Sequence, residues 1–392
     1  MIKVGIGLSR SKDLAQALPE AYRASLQKLQ ALKADFTIIA FTYDHAIDVD
    51  LMSALLRRNF KDIPHLGFST WSAWTDSESF EGESGILMMS FLMPDVKRSF
   101  FKIHSVKEKA ELWSSELIRK LQDAELTSSS TGTFLFAADG VHFKAGSGLE
   151  KLSEAFPKIQ FLGFGNSYGI PQCCQVADAE VHSNSLMGVF FEGYESWSAI
   201  LQHIEPEAQP IHINRMSENL VIEIDQKPAF YRLTEHLMET DDLPMMSQDE
   251  FRKRMGNLYL VEKSATTHLS PRVLGHSHRV IPLLGSEMTT GMVAVSEPVR
   301  LDYELSLGQK KKRYAEDRAI ETLMQLKEKV PEPLALFVCA SSTRARDQVR
   351  TKADLALLKE VFPKVPVFAV SSQTEFLNAS NQHSAIVWAI SN

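Results

Sequence analysis

The fold is decided by the stretch SEAFPKIQFLGFGNSYG (residues 153–169) and its near-copy KEVFPKVPVFAVSSQ (residues 359–373). Each has a helical end, then Phe-Pro-Lys, then a short apolar run, then a group of small polar residues. A related order occurs at residues 60–74, where KDIP precedes HLGFSTWSAW. Because a sequence pattern that recurs within one chain indicates repeated structural units, we predict three copies of one unit.

Three further apolar runs support this prediction, because they are continuous rather than alternating. Such runs are typical of strands buried on both faces of a parallel sheet. A polar loop, a helical stretch ending in Phe and the runs quoted above follow each of them. The three runs are TIIAFT (37–42), FLFAAD (134–139) and LFVCAS (336–341).

Each copy is completed by a strand and a helix upstream and by a last strand downstream. The upstream strands are predicted at 3–9, 97–105 and 298–306, and the last strands at 85–93, 185–193 and 383–391. We therefore predict an α/β fold of β-α-β-α-β-β units that form layered mixed sheets with helices. The copies lie near 1–93, 96–194 and 297–391.

Residues 195–296 have no obvious copy and read as an insertion of mixed β structure. Within it, residues 221–237 predict a strand, a turn at Asp225-Gln226 and a helix that Pro228 opens. Further strands are expected at 257–263, 272–284 and 291–297.

Composition excludes several classes of function. The chain has 392 residues, 44% of them hydrophobic, and a formal net charge of −7. That balance argues against nucleic acid and against a polybasic membrane anchor. The start of the sequence has no apolar signal segment, and no apolar run is long enough to span a bilayer. Three cysteines cannot form a disulfide framework, so a reducing cytoplasm is the expected location.

Ligands of open α/β sheets bind beyond the carboxyl ends of the strands, so the loops that follow the predicted strands are the candidate site. These loops carry most of the unusual chemistry of the chain. The candidate ligand-binding residues are Tyr43, His45, Ser69, Thr70, Trp71, Trp74, Asp139, His142, Gly165, Asn166, Cys339, Arg344, Arg346, Ser371 and Glu375.

Each candidate also has a purely structural interpretation. Asp139-Gly140 fits an Asx turn as well as a ligand contact. The tryptophans can line an apolar ligand or pack on their own repeat. Cys339 near two arginines can be a thiolate or a buried apolar residue. Cys173 and Cys174 can respond to redox state or be inert.

Metal and cofactor sites are only weakly indicated by the residues. His276 and His278 put two imidazoles on one strand face, which could hold a metal if a third ligand were supplied. No Cys-x-x-Cys-His motif is present, so a haem would not be attached covalently. No nucleophile elbow, phosphate-binding P-loop or His-Glu-x-x-His motif is found.

Three stretches resemble the FIST family of bacterial sensory proteins. They are FLFAADG followed by FLGFGNS (134–167), IDQKPAFYRLTEHL (224–237) and ALFVCASSTRAR (335–346). The resemblance covers nearly the whole chain. It implies an N-terminal FIST domain over 1–215, with two copies, and a C-terminal FIST domain over 216–392, with the insertion 216–296 and the third copy 297–391.

The sequence departs from the family at the tails of the second strands. GFSTWSAW lacks the Gly-Glu that often follows this strand, GFGNSYG lacks an Asp, and SSQTE keeps Glu375 alone. If those carboxylates contact ligand in relatives, the ligand of this protein differs or binds otherwise.

The resemblance implies a cytoplasmic, non-catalytic sensor that binds a small molecule and signals in trans to a histidine kinase or a cyclic-di-GMP enzyme. One branch of the family binds haem and senses nitric oxide, and His45 and His142 are the axial candidates here. Two other functions stay open. One is an enzyme that uses Cys339 as nucleophile with Arg344 or Arg346 as anion clamp, and the other is an interaction scaffold without ligand.

Overall fold

The computed structural model describes residues 1–46, 48–108, 112–140, 143, 145, 148–165, 174–241, 254–263, 272–275, 278–296, 298–341, 348–372, 375–377, 380–381 and 384–392. The chain divides into two compact units. The first comprises 1–201, 267–275 and 319–392, and the second comprises 202–266 and 276–318.

The first repeat forms a four-stranded mixed sheet with helices on one face. Its strands are in the order β1-β6-β2-β3, and only β2 and β3 are parallel neighbours. Asp13 and Asp48 cap α1 and α3, because their carboxylates accept the backbone N–H of Ala15 and Leu51. The elements are β1 (Lys3–Ser9), α1 (Leu14–Leu29), β2 (Phe36–Phe41), α2 (Tyr43–Ala46), α3 (Val49–Phe60), β3 (His65–Ser69), β4 (Ser72–Trp74), β5 (Ser79–Glu81) and β6 (Ile86–Leu92).

The second repeat has the same arrangement, with its strands in the order β7-β12-β8-β9. Strands β8 and β9 are the parallel pair, and α4 and α5 cover the sheet. Its elements are β7 (Arg98–His104), α4 (Trp113–Asp123), β8 (Gly132–Ala138), α5 (Gly148–Ala155), β9 (Ile159–Gly165), β10 (Gln175–Ala177), β11 (Glu180–His182) and β12 (Ser185–Glu192).

The chain then forms β13 (Trp197–Gln202) before it enters the second unit. That unit contains an antiparallel sheet in the order β14-β22-β18-β20-β21-β16-β15, with β17 paired to β16. Its elements are β14 (Ile204–Ile211), β15 (Ile213–Ser217), β16 (Leu220–Ile224), β17 (Lys227–Pro228), α6 (Ala229–Asp241), β18 (Leu258–Lys263), β20 (Arg279–Glu287), β21 (Met292–Val295) and β22 (Glu304–Lys310).

The sequence prediction for this region is confirmed at the strand, turn and helix of 221–237. Asp225 and Gln226 both have positive φ, as a tight turn of this kind requires, and α6 begins directly after Pro228.

A buried carboxylate on β18 binds two arginines of the same unit. Glu262 is fully buried and accepts hydrogen bonds from the guanidinium groups of Arg279 and Arg300.

The third repeat is discontinuous in sequence. Its sheet has the order β13-β27-β23-β24, so β13 occupies the place that β1 and β7 occupy in the other repeats. The insertion therefore separates the first strand of this repeat from its first helix. The remaining elements are β19 (Val273–Leu274), α7 (Lys312–Lys329), β23 (Ala335–Ser341), α8 (Gln348–Val361), β24 (Val367–Ser372), β25 (Glu375–Leu377), β26 (Ser380–Asn381) and β27 (Ser384–Ile390).

This differs from the predicted first strand at 298–306. In the structure, β22 begins at Glu304 and pairs with β14 and β18 of the second unit. Residues 197–202 are the better partner for β27, because five of these six residues are buried, as a strand inside an α/β sheet requires.

Each sheet of the first unit is completed by a hairpin from another repeat. Hairpin β10–β11 of the second repeat pairs with β3 of the first, and β25–β26 of the third pairs with β9 of the second. Hairpin β4–β5 of the first repeat pairs with β24 of the third, which closes the cycle. All three pairings are antiparallel, so each repeat gives a hairpin to one other repeat and receives a hairpin from the remaining one.

The three sheets share one central core, and each has a second core under its own helices. The central core is aromatic: the ring of Phe68 lies 4.1 Å from that of Phe164, and Phe164 lies 5.6 Å from Phe337, which joins all three repeats. The helices α1 and α3, α4 and α5, and α7 and α8 cover the outer faces. The predicted α/β class is therefore confirmed. Among the helices that the structure describes, each is too short or too polar to serve as a transmembrane span.

Candidate functional site

The tails of the second strands meet at the carboxyl ends of the sheets in the first unit. Thr70 Oγ1 donates to the backbone oxygen of Ser371 at 2.8 Å and lies 3.1 Å from its hydroxyl, although 301 residues separate the two. Ser69 Oγ accepts the backbone N–H of Cys174 at 3.1 Å. We call Ser69, Thr70, Ser72, Cys174 and Ser371 the strand-end cluster; all five are buried.

Two serines of this cluster have the same role in different repeats. Ser69 binds the N–H of Cys174, and Ser371 Oγ accepts the N–H of Ser72 at 3.1 Å. In both cases the hydroxyl holds the chain where an exchanged hairpin begins. The second repeat has Gly165 at this position, which carries no hydroxyl. The structure thus brings Thr70 and Ser371 together, and the hydroxyls of Ser69, Thr70 and Ser371 are all used in contacts between repeats. Ligand binding by these residues stays a prediction.

Asp139 occupies the place that Thr42 has in the first repeat. Thr42 Oγ1 accepts the N–H of Gly85 at 3.0 Å, and the Asp139 carboxylate accepts the N–H of Asn184 at 3.1 Å. Both side chains therefore bind the backbone just before the last strand of their own repeat. Asp139 is buried, and its backbone oxygen also accepts the N–H of Phe143.

His45 is the predicted site residue whose chemistry the fold leaves open. Its side chain is 2% exposed, and Nε2 has no hydrogen-bond partner among the residues that the structure describes. Burial lowers the pKa of His45, while a hydrogen bond to the backbone of Ser11 and the charges of Asp44 and Asp13 partly oppose this. The ring is therefore neutral near pH 7.

Residues 35–227 match the FIST N domain family. The protein carries a FIST N domain. FIST domains are sensory domains that bind small ligands. The match begins next to β2 and ends at Lys227, so it contains the strand-end residues of the first two repeats and His45. A comparison with curated proteins gave no significant match.

Trp71 and Trp74, the tryptophans predicted to bind ligand, lie at the exchanged hairpin of the first repeat. Trp74 is buried in the helix-side core of the third repeat, and its Nε1 donates to Glu81 at 3.1 Å. Trp71 is partly exposed and its ring covers Gly82, whose φ of 63° suits glycine. Trp74 therefore packs against another repeat rather than against its own, and Trp71 packs within its own hairpin.

Cys339 lies in the central core of the first unit and is 1% exposed. The same place in the other repeats is occupied by Ala40 and Ala137, which also face this core. Cys174 is buried at the start of β10, beside Ser69. Both thiols are therefore buried in the first unit.

Several predicted site residues fall outside the described residues, and their roles stay predictions. These are His142, Asn166, Cys173, Arg344, Arg346 and His276. Tyr43 lies in α2, Glu375 begins β25, and His278 is partly buried directly before β20. Within the described residues, no group of three or more His, Cys, Asp or Glu side chains could hold a metal ion.

The sequence did not single out three buried polar residues of the FIST N domain. Gln175 Oε1 accepts the hydroxyl of Ser185 at 2.7 Å, which ties an exchanged strand to the second repeat. His65 Nδ1 lies 2.8 Å from the oxygen of Ile63, and its Nε2 accepts the N–H of Ala179 at 3.1 Å. His65, Gln175 and Ser185 each begin a strand whose following residues are mostly apolar, and a polar residue in that place was the signal that could have identified them.

Proposed function

We propose that this protein is a sensor whose small ligand binds at the carboxyl ends of the strands of the first unit, against His45. The unpartnered Nε2 of a buried imidazole is the observation that supports this. Buried polar atoms in proteins are nearly always hydrogen-bonded, so an open one at the expected edge of the sheet favours a ligand there.

The chemistry of His45 specifies what the ligand must offer. A neutral ring whose Nε2 has no partner among the described residues can present a lone pair on that atom. That lone pair accepts an N–H or O–H from a ligand, or it coordinates a metal. Because burial lowers the pKa, the acceptor persists at pH 7 and is lost only when acid protonates the ring.

A haem is the sharper version of this proposal. The axial ligand of haem iron is commonly a neutral imidazole, and His45 fits that requirement among the described residues. The iron, when bound, would supply the site for nitric oxide. His45 would hold the group, and Ser11 would fix the orientation of the ring.

For the output, we propose that the protein acts in the cytoplasm on a separate histidine kinase or cyclic-di-GMP enzyme. The resemblance to sensory FIST proteins supports this. The enzymatic alternative through Cys339 is less favoured, because its thiol faces the central core rather than solvent.

The test is native mass spectrometry of freshly purified protein, followed by titration with haemin. A retained small molecule, or a Soret band on haemin addition, is expected from wild type and should be lost in His45→Ala. The control is His212→Ala, which removes an exposed histidine of the second unit. Ligand retention that is the same in His45→Ala and wild type would place the ligand elsewhere. Protein without any retained ligand, Soret band or thermal shift would favour the scaffold.

A further inference from the structure

A cavity lies at the amino-terminal ends of β8 and β9, the ends opposite to the strand-end cluster. Its volume is about 180 Å³, more than the roughly 150 Å³ that accepts a benzene molecule in an engineered protein core. It is lined by Thr131, Gly132, Pro157, Lys158, Gln160, Glu195, Ser196 and Arg272. These residues belong to the first unit, and none of them is part of the strand-end cluster or the His45 site.

Gln160 is one of two buried polar residues, with Ser196, that line this cavity. The side chain is 3% exposed, and its Oε1 accepts the hydroxyl of Ser196 at 2.9 Å. Ser196 in turn lies 3.0 Å from the hydroxyl of Thr133, which donates to the oxygen of Tyr194. This chain of hydrogen bonds fixes the orientation of the amide.

The other end of that amide is not used by the protein. Gln160 Nε2 is buried and has no hydrogen-bond acceptor within the part of the chain that the structure describes. An amide nitrogen offers two N–H donors, and burying them without an acceptor is costly. The site therefore favours a ligand that brings an acceptor.

Charge at the cavity points in the same direction. Glu195 forms an ion pair with Arg272, so these two charges largely cancel. The exposed Lys158 adds a positive charge at the same cavity. An ammonium group and an amide N–H₂ together match an oxyanion, which accepts hydrogen bonds from both.

We propose that this cavity is a binding site for the oxyanion group, carboxylate or phosphate, of a small molecule of about the size of a benzene ring. Lys158 and Gln160 are its ligands, and the Ser196–Thr133 chain positions the amide. The FIST N domain would then carry two separate small-molecule sites at opposite ends of its strands.

The experiment is a titration of the full-length protein with sodium acetate in one arm and inorganic phosphate in the other, at constant ionic strength. NMR of the backbone amides of Gly132 and Ser196 reports binding. We expect saturable shifts with at least one probe, and the arm that saturates at lower concentration identifies carboxylate or phosphate chemistry.

Two variants make the result specific. Lys158→Gln should weaken binding about tenfold, which corresponds to about 1.4 kcal/mol, and Gln160→Glu should abolish it by placing a carboxylate against the anion. Lys151→Gln, an equal change of charge at an exposed position of α5, should bind as wild type. Absence of saturable shifts with both probes, or equal weakening by Lys158→Gln and Lys151→Gln, would overturn the proposal. If Gln160→Glu fails to fold, the lysine pair decides the outcome alone.

Discussion

At the scale of single residues, the most informative side chains are buried polar groups that hold one repeat to another. His65 is the clearest case. It lies on β3 of the first repeat and accepts the N–H of Ala179, which belongs to the hairpin of the second repeat. Both ring nitrogens are used by the backbone, so only the neutral ring with its proton on Nδ1 fits.

This geometry predicts a pH dependence of stability. Burial lowers the pKa of His65, and the pKa values of His45 and His182 are lowered for the same main reason. Below about pH 6.5 the unfolded chain therefore binds more protons than the folded one, and the free energy of unfolding falls as pH falls. Above about pH 6.5 the neutral histidines contribute their full share to the free energy of unfolding.

The variant His65→Gln separates this residue from the others. It should lose about 1–3 kcal/mol at neutral pH, the cost of disturbing buried hydrogen bonds. It should also show a smaller further loss between about pH 7.5 and about pH 5.5 than wild type, measured by urea unfolding. His212→Gln, at an exposed position, serves as the control. An unchanged pH dependence in His65→Gln would contradict this account.

At the scale of elements, each exchanged hairpin inserts a side chain into the core of the repeat that receives it. Trp74, Val176 and Phe376 occupy the same position on the three hairpins, and each enters the helix-side core of the repeat that receives it. Phe376 stacks on Phe136 with ring centres 5.6 Å apart and meets Phe143 edge-on at 5.4 Å. The hairpins therefore contribute side chains to the core as well as sheet hydrogen bonds.

Truncation of one of these inserted side chains should destabilise the repeat that receives it. Phe376→Ala should cost about 3–5 kcal/mol, because it removes a buried ring and leaves a cavity. Phe100→Ala is the matched control on β7, where the ring is only partly buried, and should cost clearly less. Denaturant unfolding measures both. Equal losses would show that the hairpin of the third repeat adds no more than a strand at the surface.

At the scale of the whole molecule, the cycle of exchanged hairpins joins the three repeats of the first unit, so we expect this unit to unfold as one body. The sheet of the second repeat includes residues 375–377 of the third, since β25 pairs with β9. A fragment limited to residues 35–227, the FIST N domain, would therefore lack part of a sheet and part of the central core that surround these residues in the full chain.

This predicts that the fragment 1–215, which the sequence favours as a domain, does not fold by itself. It should show no cooperative thermal transition by circular dichroism, because Phe68 and Phe164 lose Phe337 and the third sheet. Addition of the fragment 319–392 should restore at least part of the native signal. A cooperative melt of 1–215 alone would show that two repeats suffice, and the cycle would then be dispensable.

The sequence identified the loops after the predicted strands as the candidate site, and ligand binding there stays a prediction. In the structure, Thr70 and Ser371 of two such loops contact each other across the repeats. What the pattern cannot give is which atoms the fold already uses. Ser69 and Ser371 are occupied by backbone N–H groups, whereas His45 and Gln160 each keep one open atom.

The sequence by itself determined most of the long strands and helices, because buried runs, helix caps and turn residues act over a few neighbouring positions. FLFAAD, FLGFG and the turn at Asp225-Gln226 are of this kind. Only the tertiary structure decided that β13 completes the third sheet and that the hairpins are exchanged in a cycle. Those pairings join edges far apart in the chain, and which edge a short strand covers depends on the shape of the core behind it, which no local pattern encodes.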